Sequence, residues 1–198
     1  MYRKGQKTEF YTELAKKQNY PARSVYKLKE INEKYGIFKN GQRVLDLGCA
    51  PGSWFLYISE KIGDSGNVVG VDIEDINIPL KKNMVFIKKS IFELKDLDTD
   101  NKKFDAIVSD MAPSTSGVKF VDAGKSLELV EESFKIVKLF LKPGGTFIFK
   151  IFESAETADF FKQIGQYFDF FKRFKPKAVI KQSKEFYIVA KGFKGNTL

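Results

Sequence analysis

The chain of 198 residues contains no histidine, and its only cysteine is Cys49. One thiol cannot close an internal disulfide, and without imidazoles the usual zinc ligand sets are missing, so no metal site is expected. Long apolar runs are also lacking: none approaches the ~18 residues needed to span a bilayer. The opening stretch MYRKGQKTEFYTELAKKQNY has neither the apolar core of a secretory signal nor the acid-poor composition of a transit peptide. We therefore expect a soluble cytoplasmic protein with no membrane partner. Internal repeats, low-complexity tracts and linkers are absent as well.

What is present bounds the answer further. With 43% hydrophobic and 15% aromatic residues, the chain can bury one good core, and a single domain is expected. Thirty-four Lys and Arg against 25 Asp and Glu leave a net charge of +9. Such a balance favours a polyanionic partner, although a merely soluble basic protein would show it too.

From about residue 43, short β-branched or aromatic runs alternate with amphipathic stretches. RVLDLG (43–48), NVVGVDI (67–73), MVFIKK (84–89), FDAIVSD (104–110) and GTFIFKIF (145–152) read as strands. Residues 53–63, 122–142 and 155–167 read as helices, the second stopped by Pro143, Gly144 and Gly145. This alternation predicts an α/β fold with a mainly parallel sheet covered by helices on both faces. FDFFKRFK (168–175) and EFYIVAKGF (185–193) read as a final hairpin that adds an antiparallel strand at the sheet edge. Upstream, residues 22–36 predict an amphipathic helix with Val25, Leu28, Ile31 and Tyr35 on one side and Gly36 at its end. Residues 1–21 read as a basic, mobile arm before a domain at 22–198.

The segment VLDLGCAPGSW carries the densest signal. A strand ends in Asp46, Gly48, Pro51 and Gly52 make a tight turn, and a helix begins near Ser53. Small residues at such a crossover let a ligand approach the backbone. A second strand ends in Asp72, about 20 residues on, where a ribose-binding acid is expected. The spacing does not fit GxGxxG, and no Lys-Ser or Lys-Thr follows, so a dinucleotide or P-loop site is disfavoured. A nucleoside cofactor without phosphate fits better, which describes S-adenosylmethionine. Trp54 either packs in the core or flanks that site.

Methyl transfer from a sulfonium to an alcohol needs in-line approach and removal of a proton. With no histidine, the candidate bases are Lys, Tyr, Asp and Glu. Lys150 interrupts the apolar run FIFKIF, where a solvated charge is costly. It either reaches out to pair with a carboxylate or is desolvated until it can accept a proton. Asp110, at the end of the fourth strand, projects at the same carboxyl edge. By themselves, Lys27 and Glu185 read as surface charges.

The segments ARSVYKL, LDLGCAPGSW, SDMAP, FKIF and KEFYIVA, in that order, resemble the RrmJ (FtsJ) type of RNA ribose 2′-O-methyltransferase over residues 22–192. The resemblance implies a Rossmann-like, S-adenosylmethionine-dependent methyltransferase fold and a catalytic tetrad at Lys27, Asp110, Lys150 and Glu185. It makes Lys150 the base for the 2′-hydroxyl and has Asp110 orient it beside the methyl. Lys27 and Glu185 tune Lys150 and hold the acceptor ribose. It also implies cofactor contacts from Gly52, Trp54, Asp72 and Asp110, with Asp46, Gly48 and Ser53 from the loop. Ser90 stands where many relatives have an acid facing the adenine amino group, and backbone groups of Ile91 are expected to share that task. Cys49 and Ser53 replace the Ala and Gly that relatives often carry. The substrate implied is RNA, a uridine of large-subunit ribosomal RNA, with transfer RNA as the runner-up; a non-catalytic RNA-binding module and a small-molecule methyltransferase are the readings of other classes. Basic residues in the arm (Arg3, Lys4, Lys7, Lys16, Lys17, Arg23) and from Lys172 to Lys184 are candidate phosphate contacts. With no long apolar stripe left over, a monomer is expected.

Overall fold

The computed structural model describes residues 6–97, 102–113, 118–154, 157–179 and 183–195. Its strands are β1 (Arg43–Leu47), β2 (Asn67–Asp72), β3 (Met84–Lys88), β4 (Phe104–Ser109), β5 (Leu141–Phe152), β6 (Phe168–Phe174) and β7 (Glu185–Phe193). They form a 7-stranded sheet in the order β3-β2-β1-β4-β5-β7-β6. Strands β1 to β5 pair in parallel, and β7 runs antiparallel to both neighbours. The hairpin forms as expected, with β7 one place inside β6. Composition explains the order: Phe186 to Ala190 of β7 are buried on both faces, whereas β6 carries exposed Lys172 and Arg173 and suits an edge.

Helices α1 (Gln6–Lys17), α2 (Val25–Tyr35), α3 (Ser53–Ile62), α4 (Lys119–Phe140) and α5 (Thr157–Gly165) cover the sheet. Period-2 alternation divides the core into two layers. Leu45, Leu47, Ile107, Phe147 and Phe149 face a cluster with Val130 and Val137 of α4 and Phe160 of α5. Val44, Val108, Ile148 and Val189 face the other cluster, with Leu28 and Ile31 of α2 and Phe55 and Ile58 of α3.

Gly36 ends α2 in the left-handed conformation (φ 60°), its N–H donating to the Asn32 carbonyl, as the helix signal implied. Helix α4 stops at Phe140, earlier than its periodicity suggests, because Leu141 is buried and already pairs with Phe104. The segment read as an arm carries α1, and Ala15 and Tyr20 pack into the α2/α3 layer. Lys29 fastens this junction by donating to Gln18 Oε1 at 2.8 Å and lying 4.3 Å from the Tyr20 ring centroid. Arg3, Lys4, Lys181, residues 155–156 and the hydroxylated run at 114–117 lie outside the described residues. No described helix is long and apolar enough to cross a membrane.

Candidate active site

Sheet register gathers the charged residues. Val108 is opposite Asp46 on one side and Ile148 on the other, and Ser109 is opposite Phe149. Continuing by one residue sets Asp110, just past β4, beside Lys150. On the next strand Lys150 is opposite Tyr187, and Phe152 is opposite Glu185. Because alternate residues share a face, Asp46, Asp110, Lys150, Tyr187 and Glu185 all belong to the α2/α3 side. Helix α2 packs on that side through Val25, Leu28 and Ile31, and so presents Lys27 to them.

The expected tetrad is brought together as two ion pairs. Lys150 Nζ is 3.0 Å from Asp110 Oδ1 and also donates to the Asp110 backbone carbonyl. Lys27 Nζ is 2.7 Å from Glu185 Oε1. All four side chains are largely sheltered from solvent, the lysines at 7% and 11% exposure. Tyr187 joins the pairs: its hydroxyl donates to Asp110 Oδ1 at 2.6 Å, and Lys27 Nζ lies 5.8 Å from its ring centroid. Sequence reasoning missed Tyr187, since a tyrosine in an apolar strand reads as core. Its position two residues after Glu185, hence on the same strand face, was the available signal.

Electrostatics sort the carboxylates. Burial by itself would raise the Asp110 carboxyl, but Lys150, Lys27 and the hydrogen bonds from Tyr187 and Lys150 outweigh it and hold Asp110 below the ordinary range. Asp46 behaves in the opposite way. Burial first, then Asp110 and Asp72, push its carboxyl well above that range, and neither oxygen has a hydrogen-bond partner among the described residues. The Tyr187 phenol is likewise pushed well up, by burial, by Asp110 and by Glu185.

A cleft of about 490 Å³ opens at the carboxyl ends of β1, β2 and β4. Gly48, Asp72, Ser90, Ile91 and Asp110 of the expected cofactor set line it. Gly48 adopts φ +74°, and a Cβ there would come within 2.2 Å of Met111 Cγ, so the loop requires glycine. Asp72 is held by backbone donors, accepting from Ala50 N–H at 2.8 Å and Glu74 N–H at 2.9 Å. Ser90 caps the 3-10 turn Ile91–Asp96, accepting from the Phe92 N–H.

The remaining expected contacts do not border the cleft. Asp46 is fully buried beneath it. Gly52 (φ +108°) begins α3, and a Cβ there would meet Ile78 at 2.7 Å. Ser53 accepts from the Ala22 N–H at 2.7 Å. Trp54 donates its indole N–H to the Ser24 carbonyl at 2.9 Å and packs beside Tyr187, with ring centroids 5.8 Å apart. Through these last two bonds α3 fixes the entry to α2, and with it Lys27.

A nucleoside-sized cleft and a lysine-bearing ionic cluster meet at Asp110, which belongs to both. Such a cleft at the carboxyl edge of a mainly parallel sheet is the arrangement of a Rossmann-like methyltransferase. The FtsJ-like methyltransferase model matches residues 20–193, and the chain belongs to that family. It is 46% identical over 191 residues to "Ribosomal RNA large subunit methyltransferase E" of Desulfatibacillum aliphaticivorans, covering 96% of this chain and 92% of that protein. The protein of the same name from Oleidesulfovibrio alaskensis is 44% identical, with 91% and 89% covered. Among solved structures, one described as a ribosomal RNA methyltransferase from Plasmodium falciparum superposes with a TM-score of 0.77 at 30% identity, covering 89% of this chain and 100% of that one.

Proposed function

We propose that this methyltransferase modifies the ribose 2′-hydroxyl of a uridine in large-subunit ribosomal RNA, using S-adenosylmethionine, with Lys150 as general base. The observation that carries the reading is the contact of Lys150 with Asp110 at the lip of the cleft. A lysine that has given up one proton keeps two N–H groups and one lone pair. Both N–H groups have acceptors here, the Asp110 carboxylate and carbonyl, which leaves the lone pair for an incoming hydroxyl.

The donor set suits the cofactor. Within a protein of net charge +9, the carboxylates of Asp72 and Asp110 both line this cleft, which favours a cationic ligand. Asp72 keeps lone pairs that would take the ribose hydroxyls of the cofactor, and Ser90 and Ile91, which also line the cleft, would hold its adenine. When bound, the cofactor supplies a methyl group on positively charged sulfur, leaving as a neutral thioether. Lys150 takes the 2′-hydroxyl proton as the new C–O bond forms, and the Asp110 carboxylate stabilises the cation produced on Lys150. Tyr187 holds Asp110 in place, and the Lys27–Glu185 pair borders the acceptor ribose. The names of the relatives support the choice of ribosomal RNA.

The test is methyl transfer from isotope-labelled S-adenosylmethionine to large ribosomal subunits, naked ribosomal RNA and transfer RNA, with the product mapped by mass spectrometry. A ribose-methylated uridine in large-subunit RNA is expected. Lys150→Ala should cut turnover by at least ~100-fold, the scale of general-base catalysis, while S-adenosylmethionine affinity holds. Methylation on a base, or confined to transfer RNA, would overturn the substrate assignment. Full turnover by Lys150→Ala would remove the base.

A further inference from the structure

A second cavity, of about 780 Å³, lies between α1, α2 and the chain that leaves β6. Its walls combine aromatic rings, the ammonium groups of Lys29, Lys34 and Lys177, and the carboxylates of Glu30 and the exposed Glu33. Tyr11 and Phe174 are half-buried, Tyr26 supports Tyr11 with ring centroids 5.2 Å apart, and Lys34 and Lys177 are exposed. Lys34 Nζ lies 4.7 Å from the Phe174 centroid. Glu30 also borders the groove, but its carboxylate is engaged: it accepts the N–H groups of Lys177 and Ala178 at 2.6 and 2.8 Å and thereby builds the wall.

Position ties this groove to the reaction centre. Phe174 is the direct β6 partner of Tyr187, and directly opposed residues share a sheet face about 5 Å apart. Along α2, Lys27, Glu30 and Lys34 follow one another at spacings of three and four, so the stripe that begins in the tetrad runs into the groove. Rings that offer stacking faces, interleaved with lysines, are the chemistry that binds unpaired nucleotides; a small metabolite would be held in a more enclosed and more apolar pocket. From the placement of Tyr11, Phe174, Lys34 and Lys177 we infer that this groove binds an unpaired nucleotide of the RNA substrate that neighbours the methylated one. The base stacks on Phe174 or Tyr11, and Lys34 and Lys177 meet its phosphates. This rests on the proposed RNA methyl transfer and adds a second site of grip to it.

Two measurements test it. Large-subunit ribosomal RNA carrying photoreactive 4-thiouridine is crosslinked to the full chain, and the attachment sites are mapped by mass spectrometry. Crosslinks on α1, on α2 near Lys34, or at the end of β6 are expected; crosslinks found only on the α4 side of the cleft would overturn the inference. In parallel, Phe174→Leu, which retains apolar volume against Tyr35, and Lys34→Gln are compared with wild type for RNA affinity. Phe174→Leu should weaken RNA binding roughly tenfold, the loss of one stacked base, and Lys34→Gln should weaken it less. S-adenosylmethionine affinity should be unchanged for both, and Phe174→Leu, which loses its ring contact with Tyr35, should melt lower than wild type yet remain folded at the assay temperature. A wild-type protein that binds no ribosomal RNA defeats the underlying reading of function. One that binds it, with variants that bind equally well, defeats only the groove, including the case where a protein segment occupies it instead.

Discussion

At the scale of single residues, Asp46 carries a desolvation cost in the free protein. A fully buried carboxyl with no hydrogen-bond partner among the described residues is tolerated because it can stay protonated, and its raised pKa expresses that preference. The sign of the linkage follows. Folding takes up a proton at any pH between the unfolded carboxyl value and the raised folded one, so in that window Asp46 erodes stability as pH rises, by up to about 1.4 kcal/mol per pH unit. Asp46→Asn removes the titration. Its melting temperature without cofactor should therefore exceed that of wild type by a margin that widens from pH 5 upward, as followed by thermal unfolding in a pH series. A constant margin would mean that Asp46 stays ionised in the fold. Lys150 was legible in the sequence as a charge inside an apolar strand, and Asp46 as the acid that ends the strand before the glycine turn. Ser53 and Trp54 were not, because nothing local to GCAPGSW reveals that their polar atoms turn to the backbone at Ala22 and Ser24.

Among elements, α2 does more than its amphipathic pattern discloses. One turn beyond Lys27, Glu30 accepts two successive amides from the chain that leads into β7, across 147 residues of sequence. The helix that supplies one member of the Lys27–Glu185 pair thereby anchors the segment that supplies the other. Glu30→Ala should cost about 1–2 kcal/mol, charge-assisted hydrogen bonds discounted for partial exposure. It should also lower turnover at saturating RNA while leaving S-adenosylmethionine affinity intact. Glu30→Gln, which keeps one acceptor, should fall between. Urea unfolding and steady-state kinetics check both; turnover unchanged in Glu30→Ala would show that the loop finds its place without α2. Strands and major helices were readable because their periodicity is local. The inward place of β7 was not, since it depends on how β6 and β7 compete for the edge of β5. Nor was α1: its docking depends on Tyr20 and Lys29, which belong to the chain that follows it.

For the whole molecule, charge is arranged with two opposite purposes. The net +9 is spread over surface lysines and arginines, whereas the cleft is lined by the carboxylates of Asp72 and Asp110. A polyanion is drawn to the exterior by the release of its condensed counterions, and that attraction weakens steeply with salt. The cofactor is held over short distances in a sheltered site, where screening has little reach. RNA affinity measured between 50 and 200 mM salt, by the counterion-release relation, should therefore fall by at least about tenfold. Affinity for S-adenosylmethionine over the same range should change by less than about twofold. Filter binding for the RNA and calorimetry for the cofactor separate the two. An RNA affinity indifferent to salt would mean that the excess of lysine and arginine serves solubility alone, and that recognition rests on stacking beside the tetrad.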